Sequence, residues 1–200
     1  MQPLVFTQPA ARIVFLATIL VYLAPEMIFT RQQMARVTRR GASRHDRGSM
    51  AILIGLQSAG LALDFGLAYR LPEAAIRWQP GILLAIGILG MLLGVALRWT
   101  AIRTLGRYFT RDVAVSDDQA IVQSGAYRLI RHPAYSGTFL TMLGLALALG
   151  NWAGGLCLMA GVLVGHAYRV AVEERALVET IGRPYEEYMK RTKRFIPRVL

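Results

Sequence analysis

Long apolar stretches alternate along this chain with short polar segments that are rich in arginine. The apolar stretches cover Ala11–Phe29, Ser49–Tyr69, Pro80–Leu97 and the uncharged run Pro133–Gly165. An α-helix needs about 20 consecutive, mainly apolar residues to cross a bilayer. The pattern therefore predicts an all-α integral membrane protein, with one span in each of the first three stretches.

The last apolar stretch predicts two helices. It is too long for one span, and Gly150-Asn151-Trp152 has the composition of a turn near its middle. The residues from Tyr168 to Val172 allow the second helix to continue past Gly165. We therefore expect five transmembrane helices, the last two a tight hairpin whose second helix projects into the cytosol. Gly182 is a typical helix stop and Pro184 a typical start, which predicts a short C-terminal helix.

Positive charge predicts the orientation of these spans. Arginine is concentrated in residues 31–48, in residues 98–131 and in the basic tail. Arginine-rich loops next to membrane spans stay in the cytoplasm. Five spans place all three segments on that side and the amino terminus outside. In a bacterium the membrane would be the inner membrane, with the polar chemistry facing the cytoplasm.

Composition narrows the class of protein. The 200 residues are 54% hydrophobic and carry a net charge of +11. The arginines flank the spans, where they meet membrane lipids, so no nucleic acid partner is expected. Cys157 is the only cysteine, which excludes an intramolecular disulfide and a cysteine zinc site, and we expect no metal. One membrane domain is expected over residues 1–200, with three spans in 1–97.

Two polar clusters lie at the two ends of the predicted hairpin. The first is Arg131-His132-Pro133-Ala134-Tyr135, and the second holds Arg169 and the pair Glu173-Glu174. His166, Arg169 and Glu173 share one helix face by their spacing. An Arg169–Glu173 surface ion pair would explain the second cluster alone, and such pairs contribute little. A hairpin brings its ends together, so we interpret the space between the clusters as a reaction site.

Four short motifs of this chain occur in an order that resembles the order of motifs in a known protein family. These motifs are Gly125-Ala-Tyr127, Arg131-His-Pro-Ala-Tyr135-Ser-Gly137, Glu173-Glu174 and Gly182-Arg-Pro-Tyr185-Glu-Glu-Tyr188. Together they resemble the isoprenylcysteine carboxyl methyltransferase family, over roughly residues 112–197. Phospholipid N-methyltransferases resemble the same half more distantly. The resemblance makes residues 98–200 the cofactor-binding, catalytic half.

The resemblance implies methyl transfer from S-adenosyl-L-methionine to a lipophilic acceptor at the cytoplasmic membrane face. It implies that Arg169 and Glu173 face the acceptor. The residues expected to hold the cofactor are Gln119, Ala120, Ile121, Val122, Tyr127, Arg131, His132, Pro133, Ala134, Tyr135 and Glu174. The charges in this set match the sulfonium, carboxylate and ammonium groups of the cofactor, and the tyrosine rings suit its adenine or sulfonium.

The acceptor itself stays open at this point. A prenylated protein and a small lipophilic molecule are both possible, and either would enter sideways between helices. A carboxylate is ionised at pH 7 and needs no base, so Arg169 would bind it as a planar fork. A thiol or amine would make Glu173 a candidate general base. The oligomeric state is also open.

Two other classes of function compete with this reading. Membrane reductases of the sterol type carry a similar Arg-His-Pro segment and use NADPH, but have Asn and an acid where this chain has Ala134 and Thr138. A structural membrane protein would use the polar clusters only to anchor helices. Asp64, inside the second span, predicts either a helix-packing hydrogen bond, which we favour, or a substrate or proton contact.

Two further structural expectations follow from the residues. Gly81, Gly87, Gly90 and Gly94 of the third span should allow another helix to approach closely. The residues Val113–Val122 flank a turn at Ser116-Asp117-Asp118 and predict a short hairpin or extended lip.

Overall fold

The computed structural model describes residues 2–37, 43–44, 46–109, 114–115 and 120–197. These residues are almost entirely helical. The helices are α1 (Leu4–Thr7), α2 (Pro9–Val37), α3 (Ser49–Arg70), α4 (Pro80–Leu105), α5 (Pro133–Leu149), α6 (Trp152–Ile181) and α7 (Arg183–Arg191). Short 3-10 turns cover Pro72–Ala74, Gly106–Tyr108 and Gly125–Arg128. The all-α prediction is confirmed.

Three helical segments are long and apolar enough to cross a membrane. They are Ser49–Arg70, Pro80–Tyr108 and Trp152–Ile181. Two shorter apolar segments, Pro9–Ala24 and Pro133–Leu149, lie beside them in the chain. The third span was expected to end at Leu97. Helix α4 continues past that residue without a break, to Leu105.

Helices α4 and α5 pack with their backbones nearly in contact. A Cβ atom added to Gly87 would lie 2.5 Å from the backbone nitrogen of Ala148, and one added to Gly94 would lie 2.5 Å from that of Thr141. A Cβ atom added to Gly90 would lie 3.4 Å from the Cα of Gly144. Small residues allow such approach because no side chain separates the two backbones. The glycine prediction is confirmed at these three positions and wrong at Gly81, where an added Cβ would meet no atom of the described residues within 4 Å.

The pair α3 and α6 also packs through glycine, and Asp64 lies in this interface. Its side chain is fully buried, and a Cβ added to Gly154 would lie 2.6 Å from Asp64 Oδ1. Within the described ranges neither carboxylate oxygen of Asp64 has a hydrogen-bond partner. The expected helix-packing hydrogen bond is therefore not formed there. Gly154 provides space for the carboxylate, and no donor accompanies it.

The connection between α5 and α6 is only two residues long. Gly150 adopts a left-handed φ of 63°, a conformation that glycine tolerates without steric cost. Asn151 caps α6 by accepting from the Gly154 N–H at 2.9 Å. Its amide also donates to the carbonyls of Leu67 and Leu71, at 3.2 and 3.0 Å. The same side chain thus ties this turn to the end of α3, at the opposite end of α5 from the polar clusters.

A two-residue antiparallel pairing joins two of the predicted cytoplasmic segments. Ser43 pairs with Val115 and Arg44 with Ala114. The expected hairpin within Val113–Val122 was wrong in its partner, because the described strand pairs with the loop before α3. Ile121 and Val122 are in no strand. The predicted turn at residues 116–118 lies outside the described residues.

Candidate active site

Tyr135 links the two polar clusters. Pro133 starts α5, which places Tyr135 in its first turn, facing α6. The Tyr135 hydroxyl donates to Glu173 Oε2 at 2.7 Å and accepts from Arg169 Nε at 3.4 Å. The His132 ring stacks on the Tyr135 ring at 5.5 Å between centroids. The predicted hairpin ends thus meet at one phenol.

Arg169 is buried, with 2% of its side chain exposed, and it is paired with the start of α3. Its Nη1 donates to Asp46 Oδ1 and, at 2.7 Å, to the Ser49 hydroxyl. Burial alone would raise the pKa of Asp46. Hydrogen bonds from Ser49 and Met50 and the charge of Arg169 outweigh it, so this pKa is lowered. The sequence analysis did not single out Asp46 as a site residue.

Glu174 is the centre of a second charged cluster. Its Oε1 accepts from Arg131 Nε at 2.8 Å and lies 3.3 Å from His132 Nε2, while its Oε2 accepts from Arg194 Nη2 at 2.8 Å. The Glu174 side chain is 5% exposed. Arg131 donates further to the carbonyls of Met189 and Thr192. Glu174 therefore fixes His132 and residues from the C-terminal part of the chain in one place.

The C-terminal segment, residues 192–197, lies along the start of α5. The Arg131 N–H donates to the Lys193 carbonyl at 2.7 Å and the His132 N–H to the Arg194 carbonyl at 3.0 Å. The Ser136 hydroxyl donates to the Phe195 carbonyl at 2.7 Å. The sequence reading treated this segment only as a basic tail. The sequence did not predict this docking, because backbone atoms make most of the contacts and the residue types do not indicate them.

The remaining predicted cofactor residues fall into two groups. Tyr127 and Ala134 are buried in one apolar cluster with Ile102, and Val122 packs against it. Burial and the nearby Glu173 carboxylate raise the pKa of Tyr127, so it stays a neutral phenol. Tyr188 donates to the Tyr127 carbonyl at 2.6 Å. Ala120 and Ile121 precede this cluster in irregular structure, and Gln119 lies outside the described residues.

A cavity of about 150 Å³ opens beside Tyr135, between the helices. Its polar lining includes Tyr135, Arg169, His166 and the ion pair of Arg98 with Glu26, which is 2.5 Å long. Apolar residues of α3, among them Leu53 and Leu61, form another side. The Arg98 side chain also reaches Thr138 Oγ1 of α5 at 3.3 Å. The cavity thus joins a charged end at Arg169 to an apolar interior.

Three comparisons with known proteins indicate the class to which this chain belongs. A model of the family described as phospholipid methyltransferase matches residues 82–183. Protein-S-isoprenylcysteine O-methyltransferase B of Arabidopsis thaliana is 29% identical over 88% of this chain and 90% of its own. Protein-S-isoprenylcysteine O-methyltransferase of Schizosaccharomyces pombe is 30% identical over 74% of this chain and 66% of its own.

A solved structure is similar as well. It is that of the eukaryotic intramembrane Ras methyltransferase ICMT without a monobody, with a TM-score of 0.56 and 31% sequence identity. The match covers 72% of this chain, which spans about half (51%) of that structure.

The apolar helices and these matches define the class, which is that of the membrane methyltransferases. The chain belongs to the family of phospholipid and isoprenylcysteine carboxyl methyltransferases. The reductase and the purely structural alternatives are set aside on this ground.

Proposed function

We propose that this protein transfers a methyl group from S-adenosylmethionine to the carboxylate of a prenylcysteine-like, lipophilic acceptor. One observation carries the proposal. Arg169, Tyr135 and Glu173 lie where the intramembrane cavity meets the polar clusters of α5 and α6. An apolar acceptor in the cavity and a polar cofactor from the cytosol would meet at that point. The names of the relatives, which specify isoprenylcysteine, support the acceptor class.

The residues present fit S-adenosylmethionine. Tyr127 and Ala134 are buried, and the half-buried Val122 packs against them, so we propose that Val122 provides the apolar contact for an adenine ring. Residues 120–123 make no backbone–backbone hydrogen bond to the described part of the chain, and we propose that their N–H and C=O groups contact the cofactor. The Glu173 carboxylate and the aromatic face of Tyr135 suit a sulfonium cation. We propose that Glu174 and Arg131 contribute by positioning His132 and the C-terminal segment.

The chemistry divides between cofactor and chain. When bound, S-adenosylmethionine supplies an electrophilic methyl group. Arg169 orients the acceptor carboxylate through charge-assisted hydrogen bonds. The Tyr135 hydroxyl forms hydrogen bonds with both Glu173 and Arg169 and so fixes their relative positions. An ionised carboxylate needs no general base, so the chain mainly aligns the two reactants and keeps water away from them. For a thiol or amine acceptor Glu173 would have to accept a proton.

The size of the cavity supports a lipid-anchored acceptor. A cavity of about 150 Å³ accepts a group as large as benzene. That is room for the carboxylate, α-carbon and thioether of a prenylcysteine and not for a long isoprenoid chain. We infer that the chain of the acceptor extends between helices α2 and α3 into the lipid. Ile13 and Ile54, at 68% and 51% exposed, are among the apolar side chains available on these helices.

We further propose the topology that the charge pattern predicts. The two shorter apolar segments, Pro9–Ala24 and Pro133–Leu149, complete five spans in one domain. The amino terminus is then outside and the site faces the cytoplasm, at the inner membrane of a bacterium. The arginine-rich segments on one side support this arrangement.

The test uses the full-length protein in lipid nanodiscs. Methyl-labelled S-adenosylmethionine is supplied with N-acetyl-S-farnesylcysteine, and the product is treated with alkali. A carboxyl methyl ester releases labelled methanol, whereas a methylated amine or thioether does not. We expect alkali-labile label that is lost in Arg169→Gln and kept in the matched control Arg175→Gln, since Arg175 is exposed on the same helix.

Two results would overturn the proposal. Alkali-stable label would move the acceptor to an amine or thioether class. Calorimetric titration with S-adenosylhomocysteine tests the cofactor independently of turnover, and saturable binding is expected. Failure of the wild-type protein to bind it would remove the cofactor assignment.

A further inference from the structure

We infer that Asp46 occupies the acceptor-carboxylate position on Arg169 and that the acceptor must displace it, which makes Asp46 a specificity-determining residue. The inference rests on the proposed function, because it concerns the same guanidinium. At that position the acceptor presents a carboxylate. This carboxylate competes with the Asp46 carboxylate for the Arg169 guanidinium.

The contacts of Arg169 motivate the inference. Arg169 Nη1 donates to Asp46 Oδ1, so the group proposed to hold an acceptor carboxylate already holds one. The two partners differ in exposure, at 2% for the Arg169 side chain and 21% for Asp46. Arg169 also lines the intramembrane cavity. The guanidinium therefore stays inside the protein, while the carboxylate on it lies nearer the solvent and can leave.

The backbone beside Asp46 is built under strain. Arg47 has a φ of 48° and Gly48 a φ of 75°, so two consecutive residues are left-handed. Only glycine adopts that region freely, and strained residues are concentrated at sites that switch. Release of Asp46 from Arg169 would allow Arg47 to relax. The strain and the occupied guanidinium are independent observations, and both point to a displaceable contact.

Asp46 also has partners that could make it a purely structural residue. Its Oδ1 accepts from the Ser49 hydroxyl at 2.8 Å and its Oδ2 from the Met50 N–H at 3.3 Å. These bonds cap the start of α3 and do not require a negative charge. An asparagine keeps one of these two accepting oxygens and removes the charge that competes for Arg169. The two roles are therefore separable by one substitution.

The experiment measures binding to the full-length protein in nanodiscs with S-adenosylhomocysteine present. The probes are N-acetyl-S-farnesylcysteine and its uncharged carboxamide. If Asp46 holds Arg169 in about 90% of molecules, Asp46→Asn tightens the carboxylate about tenfold, because the binding-competent fraction rises to one. Affinity for the carboxamide should stay unchanged, and Asp46→Glu should restore the weaker wild-type affinity for the carboxylate. Thermal unfolding of Asp46→Asn controls for a disturbed helix start.

The outcomes separate the inference from the function on which it rests. Equal affinity of wild type and Asp46→Asn for the carboxylate overturns the inference alone, provided that the wild-type protein binds and methylates it. Weaker binding of both probes in Asp46→Asn also overturns it and leaves Asp46 as a cap. A wild-type protein that neither binds nor methylates the carboxylate overturns the proposed function, and the inference falls with it.

Discussion

The Tyr135 hydroxyl donates a 2.7 Å hydrogen bond to Glu173, a residue 38 positions later and on the next helix. The same oxygen accepts from Arg169 Nε at 3.4 Å. Two consecutive helices, α5 and α6, are thus coupled at the proposed point of methyl transfer. The geometry of the groups proposed to face the acceptor depends on this phenol.

Removing that hydroxyl should slow methyl transfer more than it weakens cofactor binding. A hydrogen bond to a charged group is worth about 1.5–3 kcal/mol, which corresponds to a fall in kcat/KM of about 10- to 100-fold in Tyr135→Phe. The measurement is the rate with N-acetyl-S-farnesylcysteine, and Tyr168→Phe, on the exposed face of α6, is the control. An unchanged rate in Tyr135→Phe would show that the ring alone matters.

The Glu174 cluster should be needed for stability as well as for cofactor binding. Glu174→Gln leaves Arg131 buried without its charge partner, and breaking a buried pair costs about 3–5 kcal/mol. We expect a lower Tm and weaker binding of S-adenosylhomocysteine, measured by thermal unfolding and calorimetry. Glu179→Gln, an exposed position on α6, should change neither. A normal Tm in Glu174→Gln would contradict the proposed positioning role.

Gly94 and Gly81 provide a matched test of the α4–α5 contact. A Cβ at Gly94 would lie 2.4 Å from Thr141 Oγ1, whereas a Cβ at Gly81 meets nothing within 4 Å. Overpacking costs about 1–3 kcal/mol, so Gly94→Ala should lower the Tm and Gly81→Ala should not. Equal effects of the two substitutions would mean that α4 and α5 can separate at no cost.

The pH dependence of stability should report the state of Asp46. Its pKa is lowered in the folded protein by Ser49, Met50 and Arg169, against the effect of burial. A lowered folded pKa means that the stabilisation is complete above the unfolded value of about 3.9 and is lost as pH falls through the folded value.

The difference in Tm between wild type and Asp46→Asn should therefore be constant from about pH 7 to about pH 5 and shrink below about pH 4. Thermal unfolding across this range makes the measurement. A difference that already shrinks near neutral pH would show that Asp46 titrates at a raised pKa.

The helices and their glycine contacts were predictable, because both follow from local composition. The meeting of Tyr135 with Arg169 and Glu173 was predictable as well, since two helices joined by a short turn bring their far ends together. Helix α4 continues past Leu97 because a charged residue does not end a helix, and Arg98 forms an ion pair with Glu26 on α2.

Asp46 and Arg194 were missed for a different reason. Their partners, Arg169 and Glu174, lie far away in the chain, and the choice of partner depends on the path of a loop or of the C-terminal segment. No local pattern encodes such a path. Within the described ranges Asp64 has no hydrogen-bond donor, and the sequence could not predict this either. A sequence identifies a polar residue but not the groups that surround it in the folded protein.

The docking of the C-terminal segment has a consequence for biosynthesis. The carbonyls of Lys193 and Arg194 accept from the N–H groups of Arg131 and His132, at the start of α5. The apolar helices all precede this segment in the chain, so the residues that complete the Glu174 cluster are the last of the site to emerge from the ribosome. Docking of residues 192–197 on α5 is therefore a late step, which follows the emergence of the helices that it joins.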